Sequence, residues 1–216
     1  QEQFNYGITM ENNTAITVNA TEALMAEFTG GSTGSVEMMI GVGLVKDSDA
    51  VFFQYMGEEQ QPVALTMPTS GKPLTRLANV TLAGLDIAEE VGEFKSTKLN
   101  IYLTSSQGRT IMLTSGLTTI WSQCLLNCIS GLLYSENLQT PFNLDTWKGN
   151  SSMRPCFAGI RINGEKITDD VLYNKLADAR ADKDYKQTEK LLRGVVTLVK
   201  AALSTEEVEV AVEDAP

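Results

Sequence analysis

The stretch KLNIYLTSSQGRTIMLTS, residues 98–115, decides the reading of this chain. Leu99, Ile101 and Leu103 alternate with Asn100, Tyr102 and Thr104. Ser106-Gln107-Gly108 turns the chain, and Ile111 and Leu113 then alternate with Thr110, Met112 and Thr114. Apolar residues at a period of two mark a half-buried strand. Two such runs about a short turn make a β-hairpin with one aliphatic face. If that face meets the core, Lys98 and Tyr102 show on the other, and Arg109 lies near the turn.

Downstream, Trp121, Cys124, Leu125, Cys128 and Leu132 recur at spacings of three and four. They predict a helix over Thr118 to Tyr134. Its other face (Ser122, Gln123, Asn127, Ser130) is polar but uncharged, so the helix is expected to be buried on most sides. Pro141 to Leu144 reads as a short strand. Trp147 and Lys148, ahead of Gly149-Asn150-Ser151-Ser152, read as an exposed loop. Met153 to Ile162 reads as a longer strand closed by an Asn163-Gly164 turn, with Pro155 favouring an edge position. Cys156, Ala158, Ile160 and Ile162 share one face of it, and Met153, Phe157 and Arg161 the other. Helix returns from Asp169, with a break or exposed turn in the charged run Asp178 to Lys186, and continues to about Leu203.

Upstream of residue 94 the chain reads as short strands and loops. Phe4 to Met10, Ala15 to Val18, Val36 to Val45 and Val51 to Met56 have strand-like composition. Thr21 to Phe28 suits a short helix, Gly30 to Ser35 a flexible connection, and Pro62, Pro68 and Pro73 mark a loop-rich stretch. The fold class expected is α+β: a β-rich N-terminal part and a small sheet packed by a buried helix, followed by C-terminal helices. Residues 1–204 form a single domain with a possible sub-boundary near 94, and 205–216 form an acidic, disordered tail.

The 216 residues include no histidine, which removes Ser-His and Cys-His nucleophile pairs and histidine metal sites. Three cysteines, Cys124, Cys128 and Cys156, lack the usual zinc spacing and are odd in number. They read as buried apolar residues in a cytoplasmic protein rather than a secreted disulfide framework. Asn12, Asn19, Asn79 and Asn150 begin Asn-X-Ser/Thr triplets, a pattern common by chance. No apolar run reaches membrane-spanning length. Asp145, Glu165, Asp169 and Asp170 have no spacing that specifies acid–base or metal work. The expectation is therefore a protein that is not an enzyme and carries no metal or other cofactor.

Net charge is −10, but it is segregated. Residues 1–94 hold three basic and thirteen acidic residues, residues 95–200 fourteen and nine, and residues 201–216 five acids and no base. A basic middle with aromatic side chains on outward strand faces suits single-stranded nucleic acid, because cations track phosphates and rings stack bases. The expected contacts are Lys95, Lys98, Arg109, Lys148, Arg154 and Arg161 for phosphates, and Tyr102, Trp147 and Phe157 for bases.

The hairpin Lys98–Ser115, the helix from Thr118, Trp147-Lys148-Gly149, the strand Arg154–Asn163 and the acidic C-terminus together resemble phage- and plasmid-type single-stranded DNA-binding proteins. The resemblance covers about a third of the chain plus the tail, and it lacks the terminal aromatic residue typical of several such proteins. It implies non-sequence-specific binding of single-stranded DNA in replication or recombination, an OB-like core, and a protein partner engaged through the acidic tail; self-association into a homo-oligomer is a further expectation. The alternative is a self-assembling structural protein of virion type, suited by the nearly base-free N-terminal region and the largely uncharged helix 118–134.

Overall fold

The computed structural model describes residues 38–46, 48–56, 60–151 and 153–213, with side chains to residue 204. The strands expected over Phe4–Met10 and Ala15–Val18, the helix over Thr21–Phe28 and the connection 30–35 lie outside the described residues.

The predicted hairpin is present as β5 (Ser96–Ser105) and β6 (Thr110–Gly116), in register from Lys98↔Gly116 to Thr104↔Thr110. Leu99, Ile101, Leu103, Ile111 and Leu113 are buried, so the aliphatic face does meet the core. On the far side of β5 lies β4 (Arg76–Val91), sixteen residues to which the sequence pattern assigns no element. Its buried residues Leu77, Val80, Leu82 and Leu85 come at spacings of three, two and three. Bulges interrupt its pairing between Leu77 and Val80 and between Leu82 and Gly84, with Asn79 at φ 53°. Each bulge inserts a residue and resets the alternation, which hides the strand from a period-two test.

β4 also pairs with β7 (Phe142–Lys148), which continues through β8 (Cys156–Ile162) to β9 (Glu165–Ile167). The strand expected over Pro141–Leu144 therefore runs on, and Trp147 and Lys148 end a strand rather than forming a loop. Pro155 precedes β8, and β8 is not an edge, since it pairs on both sides. The expected Asn163-Gly164 turn joins β8 to β9, with both residues at positive φ, as a two-residue hairpin turn requires. On the other flank, β1 (Met38–Val42) runs parallel to β6 and antiparallel to β2 (Phe52–Met56), which pairs with β3 (Gln61–Ala64). The result is one nine-stranded sheet in the order β3-β2-β1-β6-β5-β4-β7-β8-β9. This is the α+β class expected, but an OB-fold is a five-stranded barrel, and this strand order does not confirm the OB-like core. Residue 94 falls in the β4–β5 turn, with the sheet continuous across it.

The described residues also form three helices, one between β6 and β7 and two after β9. In α1 (Ile120–Tyr134), Trp121, Leu125, Cys128, Ile129 and Leu132 are buried, and so are Ser122, Gln123, Asn127 and Ser130. Each residue of the polar set makes a hydrogen bond, although Gln123 Oε1 is buried without one among the described residues. Ser122 Oγ donates to the Gly116 carbonyl at 2.8 Å, Gln123 Nε2 to that of Thr118 at 2.8 Å, and Ser130 Oγ to the Asp169 carboxylate at 2.7 Å. A charge on this face would be stranded without water, which accounts for its absence. Asp169 caps α2 (Asp170–Ala181) by accepting from the Val171 and Leu172 amides. Asp184 likewise accepts from Gln187 N at the start of α3 (Tyr185–Glu213). The break between α2 and α3 falls inside the predicted Asp178–Lys186 run. The helical path extends past the Leu203 end that the pattern set, and side chains from residue 205 onward lie outside the described residues.

Candidate nucleic-acid interface

Residues paired across a sheet point to the same side. The register therefore gives the face turned away from the buried core. On β5 it carries Lys98, Asn100, Tyr102 and Thr104; on β7, Asn143, Asp145 and Trp147; on β8, Phe157, Gly159 and Arg161. Lys98, Tyr102, Phe157 and Arg161 share this outer face, as the alternation predicted, and Trp147 joins them.

At the β7–β8 end the rings of Trp147 and Phe157 stack, with centroids 5.8 Å apart and planes 16° from parallel. A glycine lies against each ring, and only Gly149 leaves no room for a Cβ. A Cβ on Gly159 would stand 3.4 Å from the Trp147 ring, and one on Gly149 would stand 2.9 Å from that of Phe157. Trp147 is 45% exposed, so its ring is open to solvent while Gly159 beneath is buried. Such a pair offers a flat apolar surface of the kind on which planar ligands stack.

Cations border this surface. Asp145 lies opposite Gly159, and its carboxylate takes Arg76 Nε at 2.5 Å on one oxygen and Arg161 Nε at 3.5 Å on the other. Arg161 also donates to the Gly164 carbonyl at 3.1 Å, and Lys166 of β9 pairs with it across the strands. Sequence reasoning missed Arg76, Lys166 and Gly159. The signal for Gly159 was a glycine inside an alternating strand, which marks a close approach.

The other expected residues do not converge here. Lys148 points to the opposite face, level with buried Cys156, and its Nζ donates to the Ser48 carbonyl at 2.6 Å. Arg154 pairs with Asp49. Together these two tie the loop before β2 to the β7–β8 end. Tyr102 is half-buried, and its hydroxyl donates to Asp86 at 2.9 Å, which also receives Asn100 Nδ2. Burial and then Asp86 push the Tyr102 phenol up. β5 stands three strands from β8, about 14 Å at ~4.8 Å per strand, so Tyr102 is a separate element of the face. Lys95, in the β4–β5 turn, and Arg109, beyond Ser105, lie at opposite ends of β5, roughly 30 Å apart at ~3.3 Å per residue. A single groove holding all nine residues is thus not what the fold builds.

The thiols belong to the core. Burial pushes Cys128 up to about 11 and also raises Cys124 and Cys156, which disfavours the thiolate a nucleophile needs. Among the described residues, no group of three or more Cys, Asp or Glu converges as a metal site would, and no helix is long and apolar enough to cross a membrane. Comparison of the chain with protein-family models, with curated proteins and with solved structures finds no match.

Proposed function

We propose that this protein binds single-stranded nucleic acid without reading its sequence, in the manner of proteins of replication or recombination. Bases would stack on Trp147 and Phe157, and phosphates would meet Arg161, Arg76 and Lys166, with Lys98 and Tyr102 extending the track along the sheet. The observation that carries the reading is the solvent-open Trp147–Phe157 stack beside those cations. Every base has a ring face, so stacking on an aromatic platform is tolerant of sequence. The acids Asp145 and Asp86 on the same face are expected to limit affinity, and Asp145, by holding Arg76 and Arg161, to flatten its salt dependence.

The test is fluorescence anisotropy of labelled single-stranded oligonucleotides of different sequence, titrated at several salt concentrations. Binding that is similar across sequences, weakens with salt and falls about 5- to 150-fold in Trp147→Ala, the equivalent of ~1–3 kcal/mol for one stacked base, is the expected result. Absence of binding at low salt, or full affinity in Trp147→Ala, overturns the proposal. Self-assembly as a structural protein is the second reading, favoured by large apolar side chains left exposed away from this face, Phe94 and Leu198 among them.

A further inference from the structure

Two features lack a partner among the described residues. The first is the tip of the β4–β5 hairpin. β6 follows β5 only as far as Lys98, and β7 leaves β4 at Val80, so beyond those points the hairpin has no neighbouring strand among the described residues. Its turn, Gly92–Lys95, displays Phe94, which is 91% exposed, between the acids Glu90 and Glu93 on one side and Lys95 on the other. The second is a groove of about 730 Å³ between the C-terminal end of α1, the first turns of α2, and α3. Leu172, Leu191, Val195 and Leu198 give it an apolar lining, with Lys175 and Lys190 on its walls. Leu198, Tyr134 and Val171 leave large apolar surface exposed at its mouth. The volume lies within the ~300–1,000 Å³ typical of binding pockets.

We propose that a second copy of this chain fills the groove, with Phe94 of each copy seated in the groove of the other. The chemistry is complementary. An aromatic anchor meets an apolar floor, the pairing that dominates interface energetics. Glu90 and Glu93 face Lys175 and Lys190, and Lys95 answers Asp170. The other acid of the groove, Asp169, is committed to capping α2 and to Ser130. The Arg193–Glu89 ion pair, at 2.6 Å, ties the helix that lines the groove to the strand that ends in the tip. In the proposed dimer the two contacts are related by a single two-fold axis, so the assembly closes instead of continuing into a filament. The stacking face at β7–β8 stays free, so the dimer does not depend on the nucleic-acid reading.

The test is light scattering coupled to size exclusion, over a wide range of protein concentration and without nucleic acid. A dimer is expected for the parent chain. Monomers are expected for Phe94→Glu and for Leu198→Glu, with unchanged circular dichroism because both side chains are solvent-exposed. Mixing these two variants restores one of the two contacts and should yield a weak heterodimer. A parent chain that stays monomeric, a dimer that survives Phe94→Glu, or an open-ended series of oligomers overturns the proposal. Oligonucleotide binding by the Phe94→Glu monomer, measured alongside, keeps failure of the dimer distinct from failure of the stacking face.

Discussion

Asp145 holds two arginines that would otherwise be open to a phosphate. Asp145→Asn removes one negative charge from the face and loosens both guanidinium groups. The expected outcome is tighter binding of single-stranded oligonucleotide, with a salt dependence steeper by about 0.7 for each arginine that turns to a phosphate. Anisotropy at graded salt checks it. The buried thiols give a second expectation at this scale. With Cys128 raised to about 11, labelling by a thiol reagent at neutral pH should be slow in the native protein and fast after denaturation. The outward placement of Lys98, Tyr102, Phe157 and Arg161 was legible because their strands alternate cleanly. Trp147 was misplaced because Thr146 takes an inward position that an apolar residue would have marked. Its hydroxyl is instead satisfied by the Thr75 carbonyl at 3.3 Å.

Two helical glycines show how packing decides an element's tolerance. A Cβ on Gly131 of α1 would lie 2.8 Å from the Thr168 carbonyl carbon, which is backbone and cannot easily yield. A Cβ on Gly194 of α3 would meet nothing within 4 Å. Gly131→Ala is expected to destabilise by about 1–3 kcal/mol through overpacking. Gly194→Ala is expected to stabilise by about 0.5–1 kcal/mol, the ordinary helix preference for alanine. Opposite shifts of the urea midpoint would confirm both. The hairpin and α1 were readable because their patterns are local and uninterrupted. β4 was not, because bulges change its apolar spacing, and β9 is only three residues long.

Across the whole molecule, ion pairs connect parts distant in sequence. Glu89 is held below the ordinary carboxylate range chiefly by the Arg193 hydrogen bond and then by that from Thr97; Asp49 is held down by Arg154. Because these folded-state values are depressed, the stabilisation is complete above the unfolded-state carboxylate range and is lost as pH falls through the folded-state values. Glu89→Gln should therefore lower the urea midpoint at neutral pH, and the gap between variant and parent should close as the solution is acidified. Strand order was the least legible level. The β4–β7 and β1–β6 pairings join residues far apart in sequence, and no local pattern encodes which strands will meet.

The parallel pairing of β1 with β6 has a consequence for synthesis. Residues 38–41 leave the ribosome long before 111–114, the residues beside which they will lie. Until the hairpin is complete, β2 is the one partner that β1 has among the described strands, and that three-stranded flank has no further described strand to join. Nascent chains arrested ahead of residue 110 should thus leave β1 through β3 open to protease, and release past β6 should protect them together. Pairings this distant are slow to form and leave strand edges exposed meanwhile, so this flank is where a chaperone would be needed first.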